Sequence, residues 1–171
     1  VTEVLKQPAF NEKEFEELRN EELAGTEEQK SDPQALVGNA IQRHLNPYPK
    51  DDIRYIKTIE EEIQAIKDVK LEDCKQFYKD FYGANNASIA VVGDFDEAEV
   101  KSIVSKQLAN WKSMNPYKRL EDNYVDVKPV NENIETPDKA NAMFLAGMNL
   151  NIRDDDPDYP ALVLGNYIFG G

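Results

Sequence analysis

Ala87–Val100 reads "ASIAVVGDFDEAEV": an apolar run, a glycine between two short turns of chain, two aspartates, then a charged helical pattern. Strand, glycine turn and helix together are the usual cradle for a phosphate, and this corner also decides how the chain on either side is organised. Ile89–Val92 predicts a short, fully buried strand, Gly93 a sharp turn, and Asp96 with Glu99 a capping-box-like helix start. The helix that follows shows Val100, Ile103, Val104, Leu108 and Trp111 at helical spacing. A phosphate loop needs several glycines, or a glycine-rich run ending in Lys-Ser/Thr, so that backbone N–H groups can approach the anion. Gly93 stands alone, and Asp94 and Asp96 place negative charge where the anion would sit. Those carboxylates can take up the orphan N–H groups themselves. The corner reads as architecture and not as a ligand site.

Upstream, Glu12 to about Lys30 is helical and charged, marked by Phe15, Leu18 and Leu23. "SDPQALVGNAIQRHL" carries a helix start, with Asp32 as N-cap and Pro33 at the first helical position. Its apolar face is Leu36, Val37, Ala40, Ile41 and Leu45, and "NPYP" breaks it. Thr58 and Glu61 open a further helix with Ile59, Ile63 and Ile66 on one side. Leu71, Cys74, Phe77, Tyr78 and Phe81 mark the next, which ends at Gly83. Downstream the periodicity fades. Residues 114–138 contain Pro116, Pro129 and Pro137, with one alternating piece at "YVDVKPV", and read as a connector. "ANAMFLAGMNL" reads as a strand, and "RDDDPDYP" as an acidic turn opening a last helix. The expected fold class is α+β: a mixed β-sheet with helices packed on it.

Composition narrows the function classes. The 171 residues are 40% hydrophobic, enough to support a core, and carry 33 acidic against 20 basic residues for a net charge of −13. Such a field repels phosphate backbones and anionic headgroups, so nucleic acid and membrane surfaces are not expected partners. No apolar run approaches the length of a membrane span, and "VTEVLKQPAF" lacks the layout of a signal peptide. Both ends read as cut, and the expectation is a piece of a longer protein.

The candidate chemical groups are few. Cys74 is the single cysteine, which leaves no intrachain disulfide and no thiolate zinc cluster; its helical spacing reads as structural packing. His44 is the single histidine, so neither a catalytic triad nor a two-histidine zinc site is expected. Asp154, Asp155, Asp156 and Asp158 invite a calcium reading. An EF-hand loop counted from Asp154 would need glycine where Tyr159 stands and glutamate where Gly165 stands. An acidic first turn explains them more simply. The glutamates from Glu14 to Glu22 read as a solvated helix face. No catalytic, metal-binding or substrate-binding residue is assigned.

Taken in order from about Pro8 to Gly171, "PAFNEKEFEELRNEELAGTEEQK", "YGANNASIAVVGDFDEAEV" with Trp111, "ETPDKANAMFLAG" and "DDPDYPALVLGNYIFGG" resemble the pitrilysin/insulinase-type zinc metallopeptidases. The resemblance implies homologous lobes of the mitochondrial-processing-peptidase type, arranged as a clamshell around a peptide-holding chamber. It implies most of one lobe in 1–113, a connector in 114–138, and the start of the next lobe in 139–171. In the active half an H-x-x-E-H motif and a distant glutamate hold zinc, which lowers the pKa of the attacking water. No H-x-x-E-H occurs here. The helix holding Glu14 to Glu22 lies roughly where the active half carries its third ligand, but without the other two no metal role passes to it.

The wording after residue 135 is most similar to the motif-less half of the bacterial two-half members. The expectation is therefore a non-catalytic portion with no zinc of its own. It completes the chamber and helps hold peptide for a zinc-bearing half, on the same chain or a partner subunit. Two-half members of this kind are generally exported, which implies a periplasmic location. Three alternatives stand beside this reading: a piece of an active half with H-x-x-E-H upstream, a purely structural scaffold subunit, or an acidic protein-interaction domain outside the family.

Overall fold

A computed structural model describes residues 2–169, and the terminal glycines of the "LVLGNYIFGG" pattern lie outside the described residues. The described elements are all helical: α1 (Thr2–Lys6), α2 (Glu12–Gln29), α3 (Pro33–Leu45), α4 (Ile59–Asp68), α5 (Leu71–Phe81), α6 (Glu97–Leu108) and α7 (Tyr159–Ile168). The expected α+β class is thereby corrected, for no β-strand and no sheet form among the described residues. The reason is physical. β-propensity is realised only through cross-strand partners and a covered face. Neither Ile89–Val92 nor the "ANAMFLAGMNL" segment has a cross-strand partner among the described residues, and Val92 is 98% and Phe144 87% exposed. Neither segment forms the strand that its apolar run predicts, and Ile89–Val92 is not buried.

The helices themselves start and stop where local chemistry places them. Asp32 caps α3 by accepting from the Gln34 N–H at 2.8 Å, with Pro33 opening the helix. The Asn46 N–H closes α3 on the Gln42 carbonyl just before "NPYP". Asp96 caps α6 by accepting from Glu99 N–H at 2.8 Å. Helix α4 begins directly after Thr58, and its Ile59 and Ile63 are the buried apolar side chains among the described residues.

The chain divides into two compact units, one formed by 1–27 with 60–120 and the other by 28–59 with 121–171. In the first, Tyr78 Oη of α5 donates to the Leu5 carbonyl of α1 at 2.7 Å, and the Phe10 and Tyr78 rings meet edge to face at 5.6 Å. Past the end of α6, the Trp111 carbonyl accepts from Ala84 N–H at 2.7 Å. Ser113 N–H donates to Asn85 Oδ1 at 2.9 Å. In the second unit, α3 is tied to the chain around it by side chains. Asn39 Nδ2 donates to the Lys57 carbonyl at 2.9 Å and Arg43 Nε to that of Ile56 at 3.2 Å. Asn149 Nδ2 donates both to the Leu45 carbonyl at 2.8 Å and to the Val125 carbonyl at 3.0 Å.

Candidate functional site

The residues that the sequence offers for chemistry are not brought together. His44, on the last turn of α3, donates from Nε2 to the Lys128 carbonyl at 2.9 Å, which ties its ring to the backbone. That hydrogen bond occupies one ring nitrogen as a donor. Along α2, Glu17 pairs with Lys13 at 3.4 Å and Glu16 with Arg19, while Glu14, Glu21 and Glu22 face solvent. This is the solvated face that the glutamate spacing predicts.

The aspartate run before α7 is knit to itself. Asp156 N–H donates to the Arg153 carbonyl, Asp156 Oδ1 accepts from Asp158 N–H at 2.9 Å, and Asp155 pairs with Arg153 at 3.1 Å. Asp158 precedes α7 without a side-chain cap. At the Gly93 corner, Gly93 takes a φ of +147°, where side-chain-bearing residues are rare, and Asp96 caps α6. The turn thus behaves as the corner its residues describe, although the segment before it is exposed and unpaired.

A catalytic zinc of the pitrilysin type needs two histidines and a glutamate converging on one point. The residues do not fit it. One histidine stands in the whole chain, and among the described residues no three His, Cys, Asp or Glu side chains lie together as a metal site. No hydrolytic step is derived through a metal held here.

Two arrangements escaped the sequence reading. In "YPKDDIRY", Asp52 takes both a forked side-chain contact and a backbone one from Arg54: Nη2 to Oδ2 at 2.7 Å, Nε to Oδ1 at 2.9 Å, and N–H to Oδ1 at 2.9 Å. The guanidinium lies 4.1 Å from the Tyr48 ring centre and donates from Nη1 to the Glu121 carbonyl at 2.8 Å. The Arg54 side-chain hydrogen bonds, then the backbone one, hold the Asp52 carboxyl down at about 2. Asp52 in turn raises Arg54 above its ordinary value. A carboxylate two residues before an arginine, beside a tyrosine in a proline-bounded loop, was the available signal.

The second arrangement is an apolar cavity of about 570 Å³ between α1, the Pro8–Phe10 turn and α5. The α5 side chains that helical spacing assigns to packing line it, Phe77 and Tyr78 among them, together with Tyr82 beyond the helix end. Phe77 is 56% exposed. The aromatic spacing was visible in the sequence; that the face would stay open was not.

Comparison with known proteins bears on these observations. A family model described as the peptidase M16 inactive domain matches residues 68–171. The chain is also similar to a Bacillus subtilis (strain 168) protein described as "Probable inactive metalloprotease YmfF", 28% identical over 118 residues, 68% of this chain and 27% of that protein. The matched stretch thus spans about a quarter of the relative's length. No solved structure shows a significant match. A non-catalytic portion of a metallopeptidase-like protein accounts for this match and for a chain whose residues cannot assemble the zinc site. On the strength of a match over more than half its length, the chain belongs to the peptidase M16 inactive-domain family.

Proposed function

We propose that the chain serves as the motif-less half of a two-half zinc metallopeptidase, completing a peptide-holding chamber whose zinc and catalytic glutamate sit on the other half. The observation that carries this reading is the family match over 68–171 in a chain with a single histidine. On this reading the working partner is a zinc-bearing half, on the same chain or on a companion subunit, and the substrate is a peptide. In the parent, 1–113 forms most of one lobe, 114–138 a connector and 139–171 the start of the next lobe. The compartment proposed is the periplasm.

The test mixes the purified chain with a zinc-bearing M16 half and follows cleavage of a fluorogenic peptide. Catalysis is expected from the zinc-bearing half and to rise on adding this chain, with KM falling more than kcat rises, since the contribution is to binding. No change in either constant overturns the proposal. A second reading is favoured by the description of the Bacillus subtilis relative as a probable inactive metalloprotease: a scaffold of the same family without proteolysis in any companion. On that reading the complex forms, and cleavage remains absent with every zinc-bearing half tested.

A further inference from the structure

The basic residues support an inference beyond the peptidase reading and independent of it. Of the 20 lysines and arginines, Lys118 and Arg119 are the one adjacent pair. They follow Asn115, whose N–H donates to the Asp80 carbonyl at 2.9 Å. From Pro116 to Leu120 no helix or turn forms and every residue is exposed. Among the described residues no hydrogen bond or ion pair engages these five positions. An endopeptidase takes its substrate as an extended strand whose backbone groups are free to bond to the enzyme. A peptide bond held in a helix or a turn reaches that shape only by local opening, which limits its cleavage. The bonds after the other basic residues are held in this way. Several lie inside α1 to α6. Outside the helices, the carbonyls of Lys57, Lys70, Lys128 and Arg153 each accept a hydrogen bond. The N–H groups that follow Lys30, Arg54 and Lys112 each donate one. Lys50 stands in the turn that Asp52 closes on the Pro49 carbonyl, and Lys139 in the turn it closes on that of Thr136. The one basic pair in the sequence therefore coincides with the one stretch where a basic residue sits on extended, unengaged backbone.

Adjacent basic side chains are recognised by carboxylate-lined subsites that take each as an ion pair. We propose that Arg119–Leu120 is a processing site for an endopeptidase of paired-basic specificity, and that the cut chain stays assembled. The step is hydrolysis: water adds across the peptide C–N bond, leaving a carboxylate on Arg119 and an ammonium on Leu120. Assembly survives because the cut falls just before Glu121, where the second unit resumes, and the ties of that unit lie beyond it. Arg54 Nη1 reaches the Glu121 carbonyl at 2.8 Å, and Asn149 Nδ2 the Leu45 carbonyl at 2.8 Å. Gly147 lies so close to α3 that a Cβ on it would stand 3.1 Å from Ile41 Cδ1. None of these contacts passes through the bond that is cut.

The 171-residue chain is digested in parallel with trypsin at a low enzyme ratio and with kexin, which requires a basic pair, and the products are followed by intact mass. Trypsin accepts any lysine or arginine, so its first cut reads accessibility, whereas kexin reads the pair. Both are expected to cut first at Lys118-Arg119, trypsin at least about tenfold faster there than at any bond outside the pair. The two fragments are expected to co-elute from a gel-filtration column in buffer and to separate in urea. Lys118→Gln is expected to abolish cutting by kexin and to leave the trypsin cut after Arg119 in place. The Lys118 side chain is exposed and engages nothing among the described residues, so the variant is expected to fold. A first trypsin cut elsewhere overturns the proposal, as does resistance of the chain to kexin. Kexin cutting undiminished in Lys118→Gln, or fragments that part in buffer, overturns it too.

Discussion

Gly83 is the position where a single methyl group has the sharpest consequence. A Cβ there would lie 2.1 Å from the Ser113 nitrogen and 2.6 Å from the Lys112 carbonyl carbon, both backbone atoms that cannot swing aside. The contact joins the end of α5 to the chain beyond α6, where Ala84 N–H already meets the Trp111 carbonyl. Gly83→Ala is expected to destabilise by about 1–3 kcal/mol, the usual range for an overpacked site. Gly25, in the middle of α2, has open space around it, so Gly25→Ala is expected to stabilise by roughly 0.5–1 kcal/mol through helix propensity. Opposite shifts of the urea midpoint in the two variants check the pair; shifts of the same sign contradict it.

At the same scale, Asp52 offers a pH test. Its carboxyl is held at about 2 in the folded chain against about 3.9 in an unfolded one. A folded pKa below the unfolded value means the stabilisation is present above about pH 3.9 and is lost as pH falls toward 2. In Arg54→Gln the Asp52 titration, followed by carboxyl ¹³C shifts, is expected to move up toward the ordinary carboxylate range. An Asp52 pKa unchanged by that substitution contradicts the assigned cause. The residues of this clamp stand in order in the sequence, but their pairing was not legible, because it depends on how the loop bends the Arg54 side chain back onto Asp52.

Among the elements, helices α2 to α7 were legible, and the strand expectations failed. Asp32, Pro33 and Asp96 announce α3 and α6 within the sequence because a cap is a local interaction, satisfied within three residues of itself. Ile89–Val92 carries as clear a signal, yet a strand is completed only by residues far away in the chain. Among the described residues none pairs with it. The same contrast explains Asn149, whose role lies in bridging the Leu45 and Val125 carbonyls at separations of 104 and 24 residues. Asn149→Ala removes both hydrogen bonds of a half-buried group and is expected to cost about 1–3 kcal/mol. Asp32→Ala and Asp96→Ala are expected to cost about 0.5–2 kcal/mol each, with the helical circular-dichroism signal falling on fraying of α3 or α6. Loss of signal without loss of stability would show that these caps act on isolated helices alone.

For the molecule as a whole, the absence of the zinc motif was the most informative observation in the sequence, because a count of histidines needs no fold. The candidate site was legible to that extent: one histidine and no H-x-x-E-H cannot supply the catalytic zinc ligands, whatever the fold. The open aromatic face of α5 was not, since helical spacing says which residues share a face and nothing of what covers it. Membership of the M16 inactive-domain family then gives the chain a non-catalytic place in a metallopeptidase-like protein. The most direct test of that account is metal analysis of the purified chain, paired with peptide hydrolysis in the same sample before and after chelation. The account predicts no stoichiometric zinc and no chelator-sensitive cleavage. One zinc per chain together with cleavage that chelation abolishes would contradict it.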